Sequence, residues 1–143
     1  MHNESEKEIL ARFIGSSFCI DRNGNPKINV FVKRDKEAGL SVWDISKYIK
    51  SNDERSIFKI GDKNFAKKPP YTIARCDLER NDVDKTFKTI ESKFNNVNYK
   101  IKGNFFSLHK DICFNTNNNP ALVYHVAQEL LNISSFKTRP KNI

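Results

Sequence analysis

Glycine is scarce in this chain, with 5 among 143 residues and no two of them close together. A loop that wraps a phosphate needs clustered glycines, because the backbone itself must approach the anion. The sequence contains no Gly-x-Gly-x-x-Gly fingerprint, Walker-type loop or His-Glu-x-x-His segment. These absences argue against the common nucleotide-dependent enzymes, and we expect no cofactor.

Cysteine is also rare, and the three present, Cys19, Cys76 and Cys113, are far apart. An odd number of distant cysteines fits reduced intracellular thiols better than a disulfide framework. No pair has a Cys-x-x-Cys spacing, and His125 has no second ligand-type His or Cys near it. The sequence therefore predicts no metal site.

No apolar run approaches the roughly 20 residues that a membrane-spanning helix needs. The first eight residues are polar and acidic, unlike a secretory signal. Apolar residues make up 38% of the chain, and eleven are Phe, which is enough for a hydrophobic core. We expect a cytoplasmic protein that does not enter membranes, with residues 1–133 as one domain.

Positive charge is in excess, with 25 Lys and Arg against 17 Asp and Glu, a net charge of +8. Such an excess favours association with polyanions, whatever the fold. The partner classes it indicates are nucleic acid, as RNA or single-stranded DNA, and an acidic protein surface.

The hydrophobic pattern predicts an α+β fold with a small mixed or antiparallel sheet packed against three to four helices. Ser5 and Glu8 have capping-box spacing before Ile9 and Leu10, which predicts a first helix ending near Gly15. Alternating runs on both sides of Asn23-Gly24 predict an early hairpin.

Further helices are predicted at residues 44–50, from Asn81 or Asp82, and after Asn119-Pro120. Strands are predicted at residues 71–76, 97–102 and 105–114. Leu40 to Trp43 would lead into the helix at residues 44–50. Residues 51–70 show no clear pattern, and residues 134–143 are expected to form a mobile basic tail.

Ser107, His109 and Asp111 share one face of a predicted strand and invite comparison with a hydrolase triad. Successive positions on one strand face are about 6.5–7 Å apart. A nucleophile and its base need about 2.6–3.2 Å. The spacing therefore argues against a triad within this strand.

His109 is nevertheless the best candidate for an acid or base. A metal-independent ribonuclease needs such a group and a cation that stabilises charge on phosphate. Arg75 is the candidate cation, and Lys100 and Lys102 are further ones. A partly exposed histidine without a catalytic role is the alternative.

Residues 59–71 combine lysines with aromatic rings, a pattern typical of single-strand binding. The candidate binding residues there are Lys59, Lys63, Phe65, Lys67, Lys68 and Tyr71. Lys100 and Lys102 add charge from one predicted strand, and Lys33 with Phe31 from another. Whether these residues meet on one surface depends on the fold.

Arg12-Phe13, the turn at residues 21–25, Gly39-Leu40-Ser41-Val42 and Asn119-Pro120-Ala121 are spread over most of the chain. In this order they resemble small uncharacterised bacterial proteins. The resemblance implies a bacterial or phage-associated accessory protein and transfers no catalytic residue. Leu122 stands where a His is expected, and the His follows only at position 125.

Three hypotheses follow from the sequence. The first is a module that binds nucleic acid through its lysines and aromatic rings. The second is a small ribonuclease or toxin that uses His109. The third is an interaction subunit of a bacterial defence or toxin–antitoxin complex, in which Trp43, Tyr48 and Phe58 contact an acidic protein or belong to the core.

Overall fold

The computed structural model describes residues 7–34, 36–64, 72–104 and 106–143. Its centre is an antiparallel six-stranded sheet with the strand order β4-β5-β2-β1-β3-β6. The strands are β1 (Ile9–Ile14), β2 (Gly39–Asp44), β3 (Ala74–Glu79), β4 (Lys100–Gly103), β5 (His109–Cys113) and β6 (Ser135–Thr138).

Four α-helices pack against this sheet: α1 (Ser46–Lys50), α2 (Glu54–Asn64), α3 (Arg80–Lys93) and α4 (Pro120–Ile133). The predicted α+β class, the sheet and the number of helices are confirmed. Within the described ranges, none of the helices has the length and apolarity that a membrane crossing demands.

The two faces of the sheet carry cores of different size. Leu10 and Ile14 of β1 point into the larger core, which is completed by α3, α4 and the 3-10 helix Ile28–Phe31. Ala11 points the other way, into a smaller core with Ile45 and Ile57 that lies under α1 and α2. Strand β1 is therefore enclosed between two helical layers.

The helix predicted at the start of the chain is wrong, because residues 9–14 form strand β1. Both faces of β1 pack against apolar cores, so apolar residues do not alternate with polar ones along the strand. The resulting spacing of apolar residues resembles that of a helix. Leu40 to Trp43 were also misassigned, and they belong to strand β2. Here Leu40 and Val42 are fully buried, whereas Ser41 and Trp43 on the opposite face are half-buried.

The chain reverses at Asn23-Gly24, where Gly24 has a φ of 81°. Asp21 Oδ1 accepts hydrogen bonds from the backbone N–H groups of Asn23 and Asn25. The flanking segments contain the 3-10 helices Ser17–Cys19 and Ile28–Phe31 instead of the expected strands, joined by one bridge between Ile20 and Pro26. The turn could be predicted because its signal is local. The conformation of residues 28–31 could not, because it depends on the burial of Val30 and Phe31 in the core.

Two further elements were not predicted. Helix α2 lies within residues 51–70, for which the sequence predicted no element. The helix is polar and buries only Ile57, Phe58 and Gly61, so the sequence shows no clear pattern there. Strand β6 lies in the segment expected to be a mobile tail and pairs with β3. Its side chains are mostly exposed, so burial left no periodic pattern to find.

Helices α3 and α4 were predicted from their apolar stripes and are confirmed. Val83, Phe87 and Ile90 are buried along α3. Asn119 caps α4 as expected, since its side chain accepts a hydrogen bond from the Ala121 N–H at 3.0 Å. The proline at the first position of the helix is compatible with this cap.

Gly61 allows α2 to approach the sheet closely. A Cβ at this position would overlap Thr72 Oγ1 and come within 2.8 Å of Phe13 Cδ1. We expect Gly61→Ala to lower the free energy of unfolding by about 1–3 kcal/mol, because overpacking exceeds the gain in helix propensity. Urea denaturation measures this change.

The matched control is Lys59→Ala, an exposed position of the same helix. It should change the free energy of unfolding by less than about 0.5 kcal/mol. Stabilisation by Gly61→Ala would show that α2 does not depend on close contact at this residue.

Candidate nucleic-acid interface

Helices α1 and α2 lie over β1 and β3, and the same face of the sheet continues across β2, β5 and β4. The register places Trp43 opposite His109 and Ser41 opposite Asp111. Lys102 in turn lies opposite Asp111 on the other side of β5. Since directly opposed residues share a face, this surface combines rings, hydroxyl, carboxylate and ammonium groups.

Ser41, His109 and Asp111 form a compact polar cluster on this surface. Ser41 Oγ donates a hydrogen bond to Asp111 Oδ1 at 3.2 Å and lies 3.1 Å from His109 Nε2. His109 Nε2 is also 3.3 Å from Asp111 Oδ1. The His109 and Asp111 side chains are 43% and 39% exposed, so a ligand on this face can reach both.

This cluster differs from a hydrolase triad in which nitrogen of the imidazole faces the carboxylate. In a triad the carboxylate holds Nδ1, while Nε2 is free to accept the serine proton. Here Nε2 faces both the hydroxyl and the carboxylate, and the Ser41 hydroxyl hydrogen is directed at Asp111. The hydroxyl and the carboxylate thus lie at the same ring nitrogen, whereas a triad places them at opposite nitrogens.

The rings of Phe13, Trp43 and His109 follow one another across β1, β2 and β5. The centroids of Phe13 and Trp43 are 5.7 Å apart, and those of Trp43 and His109 are 5.0 Å apart with a 30° interplanar angle. Trp43 is half-buried, so this row leaves part of the indole exposed. Such a row is a platform on which a planar ligand can stack.

Lys100 and Lys102 of β4 border this platform and are both exposed. Phe106, in the β4–β5 connection three residues before His109, is 92% exposed. Ser107 Oγ accepts a hydrogen bond from the His109 backbone N–H at 3.1 Å. Basic and aromatic groups therefore lie along the border of the Ser41–His109–Asp111 cluster.

Arg75 does not join His109. It lies on β3, three strands away from β5, which corresponds to about 14 Å across the sheet. Its side chain is 1% exposed and bonds to Asp77 at 2.9 Å and to Glu54 at 2.5 Å. These carboxylates occupy the guanidinium, and the structure does not bring Arg75 together with His109.

The pKa values reflect this ion cluster. Burial raises the pKa of the Asp77 carboxyl, against the opposing effect of the Arg75 charge. Burial acts to lower the pKa of Arg75, but hydrogen bonding to Glu54 and the charge of Asp77 outweigh it and raise that pKa. Arg75 also lies over the buried Phe58 ring, at 5.2 Å from its centroid.

The lysine-rich segment is only partly described. Lys59 and Lys63 are exposed on α2, on the side away from buried Ile57 and Phe58. They lie on the same side of the sheet as Lys100 and Lys102, whereas α2 and β4 are separated by β2 and β5. Four predicted residues lie outside the described part of the chain: Phe65, Lys67, Lys68 and Tyr71.

Other sequence candidates have structural roles. Phe58 is fully buried, whereas Tyr48 is half-buried against the smaller core. Arg139, expected in a mobile tail, forms an ion pair with Asp62 at 2.8 Å. These contacts hold the end of the chain against α2.

Ser41 is the functional candidate that the sequence interpretation missed. Its segment was interpreted as the entrance to a helix, which hid its alternation with Leu40, Val42 and Trp43. That alternation was a usable signal, because it places Ser41 and Trp43 on one face of a strand. The partners of Ser41 come from β5, 68 and 70 residues away, and only the pairing of strands identifies them.

No protein-family model, curated protein or solved structure matches this chain. The resemblance to small bacterial and phage-associated proteins stays a prediction. The geometry of the sheet surface is therefore the basis for inferring function.

The Arg75 cluster provides a stability test. Arg75→Met leaves Asp77 as a buried carboxylate without its cation, and we expect a loss of about 3–5 kcal/mol in the free energy of unfolding. Arg75→Met combined with Asp77→Leu removes both charges and should recover most of this loss. Chemical denaturation measures both variants.

Lys137→Met is the matched control, because exposed Lys137 is the cross-strand neighbour of Arg75. It should have an effect below about 0.5 kcal/mol. Equal stability of Arg75→Met and the unmodified protein would disprove the structural role of the cluster.

Proposed function

We propose that this protein binds single-stranded nucleic acid on the platform of Phe13, Trp43 and His109 and on the bordering Lys100 and Lys102. The observation that carries this proposal is the Trp43–His109 ring pair on a sheet face bordered by exposed lysines. RNA and single-stranded DNA are both included, because the platform would contact bases and phosphates common to the two.

Stacking accounts for the choice of a single strand. Unpaired bases expose their faces, and a base that stacks on an aromatic side chain contributes about 1–3 kcal/mol. Trp43 offers the largest ring, and His109 extends the stack towards β4. A duplex buries its base faces and would gain nothing from this platform.

Charge and hydrogen bonding support the same function. Lys100 and Lys102 are two residues apart on one strand, so both ammonium groups lie along the side of the platform. They would neutralise backbone phosphates, while the Asp111 carboxylate offers an acceptor to base edges. The carboxylate is already bonded to Ser41, which reduces its repulsion of the strand.

The only tryptophan of the chain is Trp43, so its fluorescence reports directly on the platform. We expect a single-stranded oligonucleotide to quench this emission, because a stacked base interacts with the indole. Removing both charges with Lys100→Ala and Lys102→Ala should weaken binding and reduce the magnitude of the log affinity–log salt slope by about 1.4.

Lys85→Ala with Lys88→Ala is the matched control, since it removes the same charge from α3, which packs on the opposite face of the sheet. This pair should leave the quenching and the salt slope nearly unchanged. Equal losses in the two double variants would indicate unspecific attraction, and an absence of quenching would refute the platform.

The second candidate function is phosphodiester cleavage with His109 as the acid or base. The observation that favours it is the position of His109 Nε2, 3.3 Å from Asp111 Oδ1 on an accessible surface. A carboxylate at this distance can hold the imidazole ring in place beside a ligand. Lys102, opposite Asp111, would then take the charge-stabilising role that Arg75 does not have.

Cleavage of a labelled RNA separates the two functions. A ribonuclease should lose at least about 100-fold in cleavage rate in His109→Gln, because a positioned acid or base contributes 10²–10⁴-fold. Lys88→Ala should retain the full rate. Binding by the unmodified protein without any cleavage would leave only the first function.

The third candidate function is that of a basic accessory subunit that binds an acidic protein. It would use the same lysines without stacking, so an acidic partner would bind while oligonucleotides leave Trp43 emission unchanged. A role in a bacterial or phage-associated complex is part of this proposal.

A further inference from the structure

Lys33 is a largely buried cation. It is 8% exposed and follows the 3-10 helix Ile28–Phe31. Its Nζ lies 5.9 Å from the centroid of the Phe114 ring. Among the described residues, no carboxylate or hydrogen-bond acceptor pairs with this ammonium group.

A largely buried ammonium group is usually satisfied by an acceptor or a carboxylate. Arg75, which is also strongly buried, is bonded to two carboxylates. Lys33 therefore differs from Arg75, whose charge is paired with carboxylates. An anion supplied from solution would complete its environment.

Two cavities at Lys33 provide room for such an anion. Their volumes are about 500 Å³ and 420 Å³, and both are lined by Lys33, Thr116 and Asn118. The larger one also contacts Arg34 and Tyr124, and Tyr124 is 54% exposed. The lining thus offers two cations as well as hydroxyl and amide donors.

The amino end of α4 also borders the larger cavity through Asn119 and Pro120. The field of a 14-residue helix favours an anion at this end. The Ala121 N–H is already bonded to the Asn119 side chain, so the direct donors would be side chains. The buried Lys33 adds a positive charge beside this helix end, and both favour an anionic ligand.

We propose that Lys33, Arg34 and Thr116 form a binding site for the phosphate group of a small phosphomonoester. Charge-assisted hydrogen bonds from Lys and Arg suit a phosphate, which accepts through several oxygens. A cavity of about 500 Å³ is larger than phosphate alone and matches small-molecule sites. Tyr124 would contact the organic part of the molecule.

Glu37 lines the smaller cavity, and its carboxylate accepts a hydrogen bond from the Arg34 backbone N–H at 3.1 Å. A phosphate would therefore occupy the larger cavity, which Glu37 does not line. The phosphate site is thereby placed between Lys33 and the start of α4.

This site is independent of the proposed nucleic-acid platform. Lys33 contacts Phe114, which follows the last residue of β5 and belongs to the larger core, whereas His109 is the first residue of β5 and faces the opposite side of the sheet. Loss of either site would leave the other intact.

Thermal unfolding at constant ionic strength tests the site with inorganic phosphate, adenosine monophosphate and adenosine. We expect the monophosphate at about ten times its Kd to raise the unfolding midpoint by about 4 °C. Inorganic phosphate should act in the same direction at higher concentration. Adenosine, which lacks the phosphate, should have no effect.

Lys33→Met should abolish these shifts and leave the midpoint without ligand unchanged or higher, because it removes a largely buried charge. Lys47→Met is the matched control, since Lys47 also lies over a ring, at 4.9 Å from the Tyr48 centroid, but is exposed. It should retain the full shifts. If Lys33→Met fails to fold, Thr116→Val should reduce the shifts by itself.

Two results would overturn the site. The first is the absence of a phosphate-dependent shift in the unmodified protein. The second is an equal shift in the unmodified protein and in Lys33→Met or Thr116→Val, which would place the bound phosphate elsewhere.

Discussion

The burial of Arg75 is the constraint on which the arrangement of this protein depends. A guanidinium that is 1% exposed needs carboxylates, and it receives Asp77 from its own strand and Glu54 from α2. This network, with Phe58 beneath the guanidinium, holds α2 over β3 and β1. The β2–β5–β4 part of the same face is thereby left to polar and aromatic side chains, and the candidate interface lies there.

The net charge of +8 has different consequences in different places. Arg75 and Arg139 are bonded to carboxylates and act within the fold. Lys100 and Lys102 remain exposed on β4, next to β5. Composition alone cannot separate these groups, because charge compensation depends on which residues the strands bring together.

Sequence patterns succeeded where one face of an element is buried and the other is solvated. Helices α3 and α4 have this character, and the Asn119-Pro120 cap is a local signal that needs no distant partner. The patterns failed at β1, which is enclosed on both faces, and at α2, which buries only three residues. His109, the histidine that the sequence singled out, is partly exposed, but its neighbours Ser41 and Trp43 come from a strand more than sixty residues earlier.

By itself, the sequence determined the α+β class, the positive charge and the identity of the chemical groups, because these follow from composition and from local periodicity. Only the tertiary structure decided which of them meet. It separated Arg75 from His109 by two intervening strands, placed Ser41 between His109 and Asp111, and buried Lys33 beside two cavities. Strand order and register are long-range properties, set by how the two cores pack, and no local pattern of residues encodes them.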